Sequence, residues 1–260
     1  MTKQRAVRVI SRAALASALL VVAAQAPAAS AANRQRLQVK IRPLAGHAER
    51  GSRPIALHFT LTRWTDEGAI SSPASDDRFF LPRGFGLDPT LVPYCNVNAF
   101  AQRGPSACRA SRLGSGTLRL SALNASQPLP AAGGVTVYNT PPVRGAPTTL
   151  TYALVSQPVR SQFWFQGVVI PTRKGAVIEV RETRLNVYGL PLTVVSLDFD
   201  LGRTVGRGAN RRSYLTGPAR CGAPSSRVFG LRTTFYDRFI GSTLDRPAGP
   251  PLFTAEPASC

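Results

Sequence analysis

Histidine is almost missing from this 260-residue chain: His47 and His58 are its only two. A zinc centre needs Cys and His ligands at short, regular spacings. Neither histidine has such spacing to any of the four cysteines, so no metal and no cofactor are expected. A Ser–His–acid set would have to use one of these two side chains. His58 alternates out of the run Ile55, Leu57, Phe59, Leu61 and is expected to face solvent. Ser115 lies between Gly114 and Gly116, but a nucleophile elbow needs G-x-S-x-G between strand and helix. Acidic residues are also few, 13 against 32 Lys and Arg, and lysine contributes only three of those 32. After residue 31 no apolar stretch reaches the roughly 18–20 residues that a membrane-crossing helix needs. No helical periodicity alternates with extended segments, which excludes βαβ architecture.

What is present begins with a leader. Lys3, Arg5, Arg8 and Arg12 form a positive start without an acidic residue. Ala13 to Ala24 is unbroken and apolar, and Ala29-Ser30-Ala31 fits the small-residue cleavage pattern. Residues 1–31 are read as a Sec-type signal peptide cut after Ala31, leaving 32–260 as the exported body. The expected location is extracellular or at the cell envelope.

The exported part keeps all four cysteines, Cys95, Cys108, Cys221 and Cys260. An even number in an oxidising compartment suggests disulfides. Three pairings exist; Cys95–Cys108 and Cys221–Cys260 are favoured because each closes a loop within one region. Losing the leader's four basic residues leaves 28 basic against 13 acidic, a net +15. Such a charge invites a nucleic-acid reading. Against it, the arginines are spread along the chain, and an exported protein rarely meets nucleic acid. Anionic cell-wall polymer or glycan is the more available partner, with Arg203, Arg207, Arg211 and Arg212 as the densest cluster to contact it.

The body is punctuated by 22 Gly and 21 Pro, too many for long helices. Between them, residues alternate. Leu37, Val39 and Ile41 share one face, as do Ile55, Leu57, Phe59 and Leu61. Further strands are expected at 78–81, 116–123, 135–138, 148–156, 162–170, 176–185, 192–201, 213–216 and 227–236. About eleven short antiparallel strands predict an all-β, sandwich or jelly-roll-like body. One short helical turn is expected at Asn96–Gln102. The Pro- and Gly-rich stretch 125–147 is a weak candidate boundary, but Val135–Tyr138 within it reads as a strand, so one domain is preferred.

Residues 81–117 carry a recognisable block. It runs Leu81-Pro82-Arg83-Gly84, then Cys95, then Cys108, then Ser111-Arg112-Leu113-Gly114-Ser115-Gly116. It resembles a group of secreted, β-rich proteins of GC-rich bacteria that share "lPkG…C…CP..S.iGtG"; Arg109 stands where the group has Pro. Val135–Asn139 and the Tyr214–Cys221 segment are similar to later pieces of the same group. The resemblance implies export and a β-rich body, and it implies no activity. From the residues themselves, Gly84, Gly114 and Gly116 allow backbone angles that other residues avoid.

Three features remain as candidate chemistry. Asp198 and Asp200, with Glu179 and Glu182 on a neighbouring strand, are the carboxylates a glycan-acting hydrolase would pair. Thr193, Val195, Leu197, Phe199 and Leu201 are expected to be buried, which puts both aspartates on the solvated face. In Phe163-Trp164-Phe165, Trp164 takes the face opposite the two phenylalanines and is a candidate platform for ligand stacking. The leading expectation is a non-catalytic, secreted structural or binding module with no catalytic residue; the hydrolase is the alternative.

Overall fold

The computed structural model describes residues 32–46, 51–122, 128–157, 160–173, 175–181, 186–187, 190–220, 222–236 and 247–260. The expected leader with its cut after Ala31, His47, Glu182 and Cys221 lie outside the described residues.

Extended chain dominates. β1 (Asn33–Pro43), β2 (Ser52–Thr65), β3 (Ala74–Pro82) and β4 (Gly86–Leu87) come first. A helix, α1 (Val97–Arg103), and a 3-10 stretch (Gly104–Ser111) follow. Then come β5 (Arg112–Ala122), β6 (Leu129–Val143), β7 (Ala146–Gln157), β8 (Ser161–Thr172) and β9 (Gly175–Arg181). The chain continues through β10 (Asn186–Val187), β11 (Leu190–Leu201), β12 (Thr204–Val205), β13 (Arg212–Ser213), β14 (Leu215–Pro218), β15 (Val228–Phe235) and β16 (Leu252–Pro257).

The protein is all-β. Fourteen of these strands form one sheet, whose main path is β16-β15-β3-β9-β8-β7-β6-β5-β11-β2-β14-β4, with β1 on β2 and β10 on β11. Every paired ladder in it is antiparallel. The sheet curls until its ends meet, without closing. β1 reaches β16 through a parallel bridge between Lys40 and Ser259. There the Ile41 N–H donates to the Ser259 carbonyl at 2.8 Å, and the Ser259 N–H donates to the Val39 carbonyl at 2.9 Å. The opposing layers expected from the sequence are thus opposite walls of one continuous sheet. Phe59 on β2 meets Phe79 on β3 and Phe229 on β15 across the interior, ring centroids 6.0 and 6.5 Å apart.

Period two explains which side faces in. On β1, Gln35, Leu37, Val39 and Ile41 are buried, while Arg34, Arg36, Gln38, Lys40 and Arg42 are exposed. On β2 the buried set runs Leu57, Phe59, Leu61 and then Arg63 and Thr65. Apolar inside and charged outside is the reverse of a transmembrane barrel, whose lipid face is apolar. Within stretch 125–147, β6 pairs with β5 on one side and β7 on the other.

Two expectations need correction. Gly84 uses the freedom a glycine allows, with φ +88°. Gly114 and Gly116 do not; they are glycines because the β11 backbone presses on them. A Cβ at Gly116 would lie 1.9 Å from the Asp198 carbonyl oxygen, and one at Gly114 2.2 Å from that of Asp200. Gly133 on β6 stands equally close to the Leu154 carbonyl, 2.2 Å. These positions continue the inward-facing series of their strands, so their empty Cβ sites let the sheet bend tightly there. Gly116→Ala should therefore cost about 1–3 kcal/mol by forcing the backbone apart. A urea titration of the variant checks this; an unchanged midpoint would refute the crowding.

The second correction concerns β11. Its register against β5 shifts between Val194 and Ser196, a bulge that reverses the alternation. Leu192 and Val194 face inward before it, and Leu197, Phe199 and Leu201 after it. Thr193 is buried as expected, 1 % exposed, but neither it nor Val195 shares the face of Leu197. Asp198 and Asp200 do lie on the outer wall, as expected.

The helical turn forms as the sequence predicts, capped by Asn96, whose Oδ1 accepts the Ala99 N–H at 3.1 Å. The Cys95–Cys108 disulfide closes this excursion. Phe100 from α1 packs on Tyr138 of β6 and Tyr152 of β7, centroids 5.4 and 5.3 Å away. The stapled segment is thus a lid on the outer face of β6 and β7.

Candidate functional site

The curl leaves a cavity of about 140 Å³ in the interior. Its wall is supplied by inward positions of eight strands. Phe59 and Leu61 come from β2, Phe79 from β3, Leu118 and Leu120 from β5. Val135 and Val137 of β6, Ala153 of β7, Phe163 and Phe165 of β8, Ile178 and Val180 of β9, and Phe199 of β11 complete most of it. Ala153 keeps the β7 side of this wall shallow. A comparable engineered cavity of about 150 Å³ lined by Leu, Ile and Phe stays dry and binds benzene.

Five polar residues break this wall: Arg63, Asp77, Thr149, Thr151 and Tyr214. The first two are a buried ion pair, 2 % and 4 % exposed. Arg63 Nη2 donates to both carboxylate oxygens of Asp77, at 2.5 and 2.6 Å, and to Thr233 Oγ1 at 3.2 Å. The Thr233 hydroxyl is 2.7 Å from Asp77 Oδ1 and from Gln35 Oε1. Gln35 Nε2 donates to the Leu231 carbonyl at 3.1 Å. The Arg63 guanidinium also stands 5.7 Å from the Phe235 ring centre. This network ties β1, β2, β3 and β15 together where the sheet's ends approach each other, and its charges neutralise one another.

The other three polar residues bear hydroxyls. Tyr214 sits between β13 and β14, fixed by its N–H to the Arg203 carbonyl at 2.8 Å and by the Asp88 N–H on its own carbonyl at 2.9 Å. Its side chain is 1 % exposed and lines the cavity. Burial alone pushes the phenol up from its ordinary range. Thr149 and Thr151 take adjacent inward positions of β7 and line the cavity.

The residues singled out from the sequence lie elsewhere. Trp164 is on the outer wall, 48 % exposed, opposite Tyr152 in the β7–β8 ladder. Arg203, Arg207, Arg211 and Arg212 gather on the small β12–β13 hairpin. Arg212 there pairs with Asp88 at 3.1 Å, and Arg203 donates to the Arg112 carbonyl at 3.4 Å. Asp198 and Asp200 flank His58: Asp200 Oδ1 is 3.1 Å from Nδ1 and Asp198 Oδ2 is 3.5 Å from Nε2. Arg42 also pairs with Asp200. Glu179 belongs to a separate outer-wall cluster, 2.8 Å from Arg181 and 3.3 Å from Arg78. Beside it, Asp76 has its carboxyl raised by burial, a shift that Arg78 opposes. Four strands separate β9 from β11 along the sheet, so Glu179 and the two aspartates do not converge. The Cys95–Cys108 pair is formed; the Cys221 half of the other lies outside the described residues.

Among the described residues no group of His, Cys, Asp and Glu is placed to hold a metal ion. None of their helices is long and apolar enough to cross a membrane. Fold and cavity together define an all-β protein whose single antiparallel sheet wraps an apolar chamber. The chain matches no known protein-family model, no curated protein and no solved structure.

Proposed function

We propose that this chain is an exported, non-catalytic binding protein that holds a small, largely apolar molecule inside its curled sheet. The observation that carries the reading is the interior cavity of about 140 Å³, walled by aromatic and aliphatic side chains and edged by a few polar groups. That combination is the usual make-up of a small-molecule site. The leader-like start, the Cys95–Cys108 disulfide and the charged outer wall support action outside the cytoplasm.

A filled cavity tests it. Ala153 lies on the cavity wall, and Ala153→Leu places three more carbons inside. The variant should gain about 1 kcal/mol of stability in the ligand-free state. It should also lose the methyl-group chemical-shift changes that benzene or cyclohexane produces in the wild-type protein. Wild-type spectra that do not respond to either hydrocarbon would defeat the proposal.

The alternative, a glycan-acting hydrolase, draws no support from the carboxylates. Asp198 and Asp200 are two positions apart on an open outer wall and are engaged by His58 and Arg42. Retaining and inverting mechanisms instead need carboxyl groups facing each other across roughly 5–10 Å of cleft.

A further inference from the structure

One tract of the outer wall is not polar. Ile170 on β8 pairs with Val177 on β9, Val177 with Phe80 on β3, and Phe80 with Gly230 on β15, all at outward positions. From β16, Phe253 lays its ring over Gly230, where an added Cβ would lie 3.0 Å from it. The same ring meets Phe80 edge-on, centroids 5.8 Å apart. Five neighbouring strands thus share one apolar strip, and its members are held in place without being covered. Phe253 is 57 % exposed, Ile170 41 %, and Val228, two positions before Gly230, 38 %. An exposed apolar tract on an otherwise charged surface marks a place where something docks.

The rim points to the occupant. Arg232 stands between Arg78 and Phe253 across the β3–β15–β16 ladders. Arg78 is paired with Asp76 and Glu179, whereas Arg232 has no acidic partner among the described residues. Arg83 and Arg173 follow the ends of β3 and β8, which the Pro82–Gly175–Thr172 register brings together at the opposite border of the strip. Neither has an acidic partner among the described residues. A second copy of a chain with 32 Lys and Arg against 13 Asp and Glu would bring the same sign of charge to the contact. A bound peptide needs a groove or a free sheet edge, and this strip lies on the convex side of a curled sheet.

We propose that the strip docks on an anionic lipid surface. Phe253, Phe80 and Ile170 enter the interface, and Arg232, Arg83 and Arg173 meet the headgroup charges. The attachment is peripheral: a spanning barrel needs an apolar belt around every strand, and this strip covers five. It stands independently of whether the chamber holds a ligand.

Residues 31–260 form one compact unit, so the oxidised protein without its leader is the material for vesicle co-sedimentation. It should bind phosphatidylglycerol–phosphatidylcholine vesicles about tenfold more tightly than pure phosphatidylcholine vesicles, and salt should erode the difference. Phe253→Ser should lower affinity for the anionic vesicles about tenfold, the loss of one aromatic transfer. Arg232→Gln should lower it about fivefold. Both side chains are exposed, so both variants should melt close to wild type. Phe253→Trp keeps an aromatic ring and supplies a second readout. Its added emission should shift to the blue on anionic vesicles, beyond any change that Trp64 and Trp164 give in the wild type.

Absence of binding to the anionic vesicles overturns the proposal. Equal binding by wild type and Phe253→Ser, or an unshifted emission in Phe253→Trp, does so too, since charge alone would then account for attachment. A dimer in analytical ultracentrifugation that Phe253→Ser dissolves would give the strip to a second copy instead.

Discussion

Arg63→Ala should remove about 3–5 kcal/mol of stability, because it strands the Asp77 carboxylate in the interior. Asp77 is 4 % exposed and receives hydrogen bonds only from Arg63 and the Thr233 hydroxyl among the described residues. A single hydroxyl cannot replace a guanidinium that meets both carboxylate oxygens. The same network bridges β2, β3 and β15 through Gln35 to β1, so the loss also loosens the place where the sheet's ends approach. Removing both charges is a different matter. Arg63→Met with Asp77→Leu should recover most of the loss, since apolar replacement of a buried pair is often close to neutral. Guanidinium unfolding of the single and double variants reads both effects. A single variant within 1 kcal/mol of wild type would mean that the pair is solvated in solution.

The second large effect lies outside the barrel-like body. Replacing Cys95 and Cys108 by alanine should cost about 3 kcal/mol, from a loop of thirteen residues freed in the unfolded chain. The structural consequence is local. Freed of its staple, the α1 lid can lift Phe100 from Tyr138 and Tyr152, exposing a patch that includes Leu150. Limited proteolysis should then nick residues 96–107 well before the sheet strands. Cleavage at unchanged rate and sites would show that the apolar contacts of Phe100 hold the lid unaided.

Much of this was legible in the sequence, and the reasons are specific. Alternation in β1 and β2 is unbroken because one face meets charge and water and the other meets the core. The turn at Asn96–Gln102 was expected between the first two cysteines, and the structure adds that Asn96 caps it through the Ala99 amide. What stayed hidden depends on distant pairing. A bulge at Val195 changes which β11 residues face inward, and nothing local at Val195 announces it. Gly114 and Gly116 read as turn residues, whereas their small size serves the approach of β11. Arg63 was a visible anomaly, a charge at an inward position two beyond Leu61, but its partner Asp77 lies on another strand. The cavity was least readable of all. A volume walled by many strands is a sum over positions distant in sequence, and no local pattern records it. Tyr214 carried no signal of its own, because a lone tyrosine beside a short strand is ordinary.

The meeting of β1 and β16 has a consequence for how the molecule comes into being. Gln35 bonds to the Leu252 carbonyl across 217 positions of sequence. A chain made from its N-terminus presents β1 first and β16 almost last. Until the final segment emerges, the first strand has one side unsatisfied and the chamber has a missing stave. Contacts so remote in sequence close slowly. The folding chain must therefore pass through an interval with its apolar lining open to water.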